Sequence, residues 1–246
     1  MTTQAHSPLD ATKVAVVGGT SGIGEATAAR FAALGAAVVI GGRDASRIEA
    51  AAARIARVGK VSGFEIDGAD AASARRFFER VGEIDHLVLA LSGGKGAGPI
   101  ATLALDDLRS GFEAKLFAHL TTLQAALPFV RSSITFVSAI SARAALAGTA
   151  GLAAINGAVE SLVRPLANEL APRRVNAVSP GVVDTPWWDA LPKDQKDGFF
   201  AQAQKTLPVG RVGRPEDVAE AIVMVATNGF MTGTVLEIAG GAHLAR

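Results

Sequence analysis

Gly18, Gly22 and Gly24 in the run VGGTSGIG stand between an apolar stretch, KVAVV, and a helical pattern. Glycines so spaced let a turn tighten, let backbone approach a pyrophosphate, and aim that phosphate at the positive N-terminus of a helix. With Thr20, Ser21 and Ile23 between them they form the first candidate binding element. A second stretch, GTAGLAAINGAVESLV at 148–163, is small and aliphatic, with Glu160 its one ionisable side chain. In EAKLFAHL, Lys115 and His119 are one helical turn apart and can share a face. Each has a plainer reading: Lys115 as a solvated or ion-paired helix residue, His119 as a structural histidine. The chain has no cysteine and no tyrosine. Disulfides, thiolate nucleophiles and cysteine-based zinc sites are therefore excluded. His6, His86, His119 and His243 show no H-x-x-x-H spacing, so no metal centre is expected.

The elements that must position these residues alternate from residue 13 onward. KVAVV (13–17), AAVVIG (36–41), VSGFEI (61–66), DHLVLAL (85–91), SITFVS (133–138), RVNAVS (174–179) and TVLEIAG (234–240) read as strands. Helical patterns separate them. One runs from the glycine turn through Leu34 and is closed by Gly35. Asp44 caps another with Ile48, Ile55 and Val58 on its inner face, and Asp70 caps a third with Ala74, Phe77, Phe78 and Val81 inward. A long helix is expected from about Leu105 to Val130, and Pro165 should kink or end the helix that contains Glu160. Pro215 opens the last helix. Parallel strands joined by helical crossovers give an α/β Rossmann fold, one doubly wound sheet of about seven strands with helices on both faces. The expected organisation is a disordered leader at 1–11 and one domain at 12–246, with a lid at 186–213.

At 246 residues, 49% hydrophobic, the chain can bury a full core, and no linker divides it. A net charge of +1, scattered along the chain, gives no footprint for nucleic acid or an anionic membrane. No apolar run reaches the roughly 18 residues that span a bilayer, and the leader has no signal-peptide pattern. The expectation is a soluble, cytoplasmic protein with a small-molecule partner.

Several motifs in order, GGTSGIG, Asp67 after the third strand, RVNAVSPG, Thr185 and TGTVLEIAGG, resemble the short-chain dehydrogenase/reductase family over about residues 12–244. The family's threonine before the glycine turn is Val17 here. The resemblance implies that Asp67 and Gly68 meet an adenine ring. It also implies that Ser92 and Gly93, in LALSGG, form a close-approach turn where the family has N-N-A-G. Pro180, Gly181, Val183 and Thr185 would lie along a nicotinamide. An acid at the end of the second strand would select NAD through its ribose hydroxyls. IGGRD has Gly42 there with Arg43 beside it, which suits a 2′-phosphate, so NADP is expected, with NADPH preferred over NADH. Asp44, one residue later, reads as the helix cap.

The resemblance also implies what is missing. The family moves a hydride and passes the proton through a Tyr, whose pKa a Lys four residues later lowers. A Ser orients the carbonyl, and an Asn on the preceding helix holds a water. Aligned through NGAVESLV, these places carry Leu152, Asn156, Ala139 and Lys115, with Ser138 and Ser141 flanking Ala139. With no tyrosine in the chain the family's relay is excluded, and no catalytic residue is assigned. Two functions remain. One is an NADP(H)-binding protein with a degenerate catalytic tetrad, non-catalytic or of altered chemistry. The other is an NADP(H)-dependent oxidoreductase for a small apolar carbonyl, alcohol or enone, with Lys115 or water as proton donor. The apolar stretch after Thr185 suggests an uncharged ligand, and Trp187 and Trp188 either line its pocket or anchor the lid. A homotetramer is implied by the resemblance alone.

Overall fold

Alternate residues of the first strand, β1 (Lys13–Val17), are buried on opposite sides of one sheet, Val14 and Val16 to one face and Ala15 and Val17 to the other. A strand apolar on both faces belongs inside a parallel sheet covered twice. The computed structural model describes residues 8–244 and shows that sheet. With β2 (Ala37–Gly42), β3 (Val61–Glu65), β4 (Ile84–Leu89), β5 (Val130–Val137), β6 (Arg174–Pro180) and β7 (Val235–Ile238), the order is β3-β2-β1-β4-β5-β6-β7. All pairings are parallel.

Helices α1 (Gly22–Ala33), α2 (Ala45–Ile55) and α8 (Pro215–Thr227) cover one face. The other is covered by α3 (Ala71–Val81), α5 (Ala118–Ala126) and α6 (Ala150–Glu169). The remaining helices are α4 (Leu105–Phe112) and α7 (Lys193–Thr206). Asp44 and Asp70 cap α2 and α3 through their side chains, accepting from Arg47 N and Ala72 N. Gly35 follows α1 with φ +97°, the left-handed geometry that ends a helix.

Four expectations are corrected. The long helix stops at Ala126, because Val130 already pairs with Ile84 of β4. Within it α4 and α5 are joined by a π-helical turn at Glu113–Phe117, where Ala118 N donates to Glu113 O. Pro165 does not end α6, which continues to Glu169; proline lacks the N–H that would reach Ser161 O, and one missing bond is tolerated in a 20-residue helix packed on the sheet. Val58 lies beyond the end of α2 and is exposed rather than inward. Of the expected disordered leader, residues 8–11 form turns, with Leu9 N donating to Leu34 O and its side chain packing on the core. Residues 1–7 of that leader, and 245–246 at the far end, lie outside the described residues. The stretch read as a lid is largely helical, a 3₁₀ turn at Pro186–Ala190 followed by α7. No helix among the described residues is long and apolar enough to cross a membrane.

Candidate functional site

Strand order reverses between β1, which leads outward to β2 and β3, and β4, which leads the other way. At such a point crossovers leave on opposite faces and open a crevice at the carboxyl ends of the strands. Here the crevice is a cavity of about 1090 Å³. Gly18, Thr20, Ser21, Gly22, Ile23, Gly24, Arg43, Asp67, Gly68, Ser92, Gly93, Pro180, Gly181, Val183 and Thr185, far apart in sequence, all line it.

One end of the cavity could hold an anionic, extended ligand. Gly18 has φ +86°, and a Cβ there would stand 2.5 Å from Ala90 O; a Cβ on Gly24 would stand 2.1 Å from Gly18 O. The turn therefore presents bare backbone at the start of α1. Ser21 does not cap that helix with its hydroxyl, which leaves the first N–H groups for a ligand. Instead Ser21 Oγ accepts from an Arg47 guanidinium nitrogen at 3.1 Å. Arg47 lines the cavity with Arg43 and was missed by the sequence reading. Its signal was its place four residues after Arg43, in the first turn of a capped helix. No carboxylate competes at the end of β2: Gly42 has none, and Asp44 is spent on Arg47 N (3.0 Å) and Ser46 Oγ (2.6 Å). Those hydrogen bonds, Ser46's first, hold the Asp44 carboxyl below its usual range. Arg43 and Arg47 could hold a phosphorylated ribose here, with the Asp44 carboxylate on the same wall turned to Arg47 N and Ser46 Oγ.

The other end is apolar around one buried cation. Leu152, Ala139, Leu146, Trp187, Trp188 and Phe199 line it. Lys115 projects from the π turn, is 8% exposed, and its Nζ donates to Ser138 O at 3.2 Å. Burial pushes its pKa down from 10.5 to about 8, with the Glu160 charge acting the other way. Of the readings open for Lys115, a solvated or ion-paired residue is not what the fold produces. Asn156 of α6, also on the cavity, donates through Nδ2 to Ser141 Oγ (3.1 Å) and Leu152 O (2.9 Å). Its buried Oδ1 has no hydrogen-bond partner. Lys115 and Asn156 share the cavity without bonding each other.

Glu160 is the second group the sequence reading left without a role. It lies one turn beyond Asn156 and accepts from Ser138 Oγ and Ser179 Oγ, both at 2.8 Å, and from Arg143 Nε at 2.9 Å. Arg143 also donates to Glu237 at 2.6 Å. The Ser138 hydroxyl is thus turned to a structural carboxylate behind the site, while that of Ser141 belongs to the site. His119 is wholly buried, does not line the cavity, donates from Nε2 to Leu89 O at 3.0 Å and meets the Phe136 ring edge-on. Burial lowers its pKa to about 3, so it is a neutral packing residue. Trp187 and Trp188 meet edge to face with centroids 4.7 Å apart, and Trp188 Nε1 donates to Val183 O at 2.9 Å. They both line the cavity and anchor the segment leading into α7.

Residues 17–243 match the family model described as Enoyl-(Acyl carrier protein) reductase. The granaticin polyketide synthase putative ketoacyl reductase 2 of Streptomyces violaceoruber is 34% identical over 245 residues, covering 93% of this chain and 95% of that protein. A small-chain dehydrogenase solved in complex with NADPH is 31% identical, with a TM-score of 0.83 over 95% of this chain and 99% of its own. The MalC Reductase/Diels-Alderase of Malbranchea aurantiaca is 27% identical, with a TM-score of 0.88 over 98% and 100%. By sequence and by fold alike, the chain belongs to the short-chain dehydrogenase/reductase family of oxidoreductases.

Proposed function

We propose that the chain binds NADP(H) along this cavity, prefers NADPH to NADH, and lacks the proton relay of its family. The observation that carries the proposal is the contrast between the two ends of one cavity. The nucleotide end keeps a glycine turn, uncapped helix N–H groups and Arg43 with Arg47. The other end offers Leu152 and Asn156 where the resemblance puts Tyr and Lys. When bound, the cofactor supplies or accepts a hydride. The chain's part is to hold its phosphates on the turn, seat the adenine beside Asp67 and Gly68, and keep water from an apolar chamber. The related dehydrogenase solved with NADPH supports the cofactor assignment. Calorimetric titration with NADPH and NADH tests it: the expected result is tighter binding of NADPH, and no binding at millimolar NADPH overturns it.

A second reading, an oxidoreductase acting on a small apolar carbonyl, alcohol or enone, is favoured by the buried ammonium of Lys115 on the cavity wall. A positioned acid is worth about 10²- to 10⁴-fold in rate. NADPH oxidation against a carbonyl and enone panel should then fall as pH rises through about 8, where Lys115 loses its proton. An unchanged rate in Lys115→Ala removes Lys115 from that chemistry. Family resemblance further supports a homotetramer, which light scattering showing a monomer would reject.

A further inference from the structure

Lys115 is the one buried lysine among the described residues; Lys60, Lys95, Lys193 and Lys205 are exposed, and Lys13 and Lys196 partly so. Exposed or partly exposed lysines make ion pairs, Lys95 with Asp107, Lys193 with Asp197 and Lys196 with Asp184 and Asp189. Lys115 has no ion pair. Its recorded acceptor is a neutral carbonyl, that of Ser138, because the nearby Glu160 carboxylate is already taken by two serines and Arg143. A cation buried without a carboxylate costs several kcal/mol, so Lys115 holds its proton less tightly than an exposed lysine and yields the free amine from about pH 8 upward. The amine sits on the wall of a large cavity lined also by Leu152, Ile155, Ala118, Ala139 and the two tryptophans, with Ser141 and Asn156 as polar members of the same wall. It is carried on a π turn, a backbone form that recurs at functional sites.

From this arrangement we propose that Lys115 is a nucleophile that captures an apolar or aromatic aldehyde or ketone as a covalent imine within the cavity. The Nζ lone pair attacks the carbonyl carbon, and the C=O π bond becomes a hydroxyl, giving a carbinolamine. Loss of that hydroxyl as water leaves the iminium. Overall, Lys–NH₃⁺ and R₂C=O give Lys–NH⁺=CR₂ and H₂O, with no oxidant, reductant or net proton required. Desolvated lysines in apolar pockets are activated for this step. The iminium is a stronger electron sink than the carbonyl, so it activates the adjoining carbon for proton loss or for addition. Few groups oppose the neutral amine. From α6 only Glu160 faces Lys115 electrostatically, itself held by Arg143, and His119 on its own helix is uncharged at neutral pH.

Capture needs no nucleotide, so its failure and a failure of NADP(H) binding are separate results. The protein is incubated with 2-naphthaldehyde, or with acetaldehyde as the small probe, and cyanoborohydride to fix iminium as a secondary amine. Peptide mass mapping across pH 6–11 then reads each lysine. Labelling of Lys115 should saturate with aldehyde and show a midpoint near pH 8. At pH 8 the free-amine fraction favours Lys115 by about 100-fold over an ordinary lysine. Lys115→Arg, which keeps the cation, should lose this label alone. Labelling of Lys115 at or below the rate of Lys60 and Lys205 with both aldehydes overturns the proposal.

Discussion

Lys115→Met exchanges a buried ammonium for an apolar chain of similar length, and the expected outcome is a more stable protein at neutral pH. The pKa of Lys115 falls from 10.5 to about 8 on folding. Between those values the unfolded chain holds the extra proton, so stability rises with pH. Below about 8 both states are charged and the folded state bears the whole burial cost, about 3 kcal/mol for a fall of this size. Against this the variant loses the hydrogen bond to Ser138 O and leaves that carbonyl unpaired, about 1–2 kcal/mol. The net gain at pH 7 is therefore about 1–2 kcal/mol, a rise in Tm of about 2–4 °C per kcal/mol in a domain of this size. Above pH 10.5 both states of the wild type are neutral and only the lost hydrogen bond remains, so the variant becomes the less stable of the two. Thermal unfolding of both proteins from pH 7 to 11 should show this crossing. A variant less stable than wild type at pH 7, or a difference that does not change with pH, would refute the account of Lys115 as an unpaired buried cation.

Two further changes separate the ends of the cavity. Arg43→Ala and Arg47→Ala should each weaken NADPH binding about 10-fold, the worth of one charge-assisted contact at an exposed site, about 1.5 kcal/mol; NADH should change less than about 2-fold, and equal losses for both nucleotides would rule out a 2′-phosphate at these guanidiniums. Glu160→Ala removes the acceptor shared by two serine hydroxyls and Arg143, with Ser138 keeping Val178 O and Arg143 keeping Glu237, so a loss of about 1–3 kcal/mol in denaturant unfolding is expected. It also removes the charge that opposes the fall in the Lys115 pKa, so the midpoint for labelling Lys115 should move below pH 8; a midpoint that moves up would contradict the assigned electrostatics.

Local chemistry made much of this protein legible from its residues. An unbroken apolar run marked β1, the Asp44 and Asp70 caps marked two helix starts, and the i, i+3, i+4, i+7 set of Ala74, Phe77, Phe78 and Val81 marked a core face. The glycine turn was legible for the same reason, since contacts within a strand, turn and helix are written in neighbouring residues. The π turn was not: a helix with one i→i+5 step has the same residue preferences as one without it, and tertiary packing decides between them. The end of the long helix was missed because Val130 is claimed by pairing with β4, a partner over forty residues away. The absence of tyrosine, and with it the loss of the family's relay, is fixed by composition alone. What became of the vacated site is a tertiary matter. The charge state of Lys115 depends on desolvation by the fold around it and on Glu160, 45 positions further along. Whether Glu160 could serve as its counter-ion was settled by Ser138, Ser179 and Arg143, which folding brings to that carboxylate first.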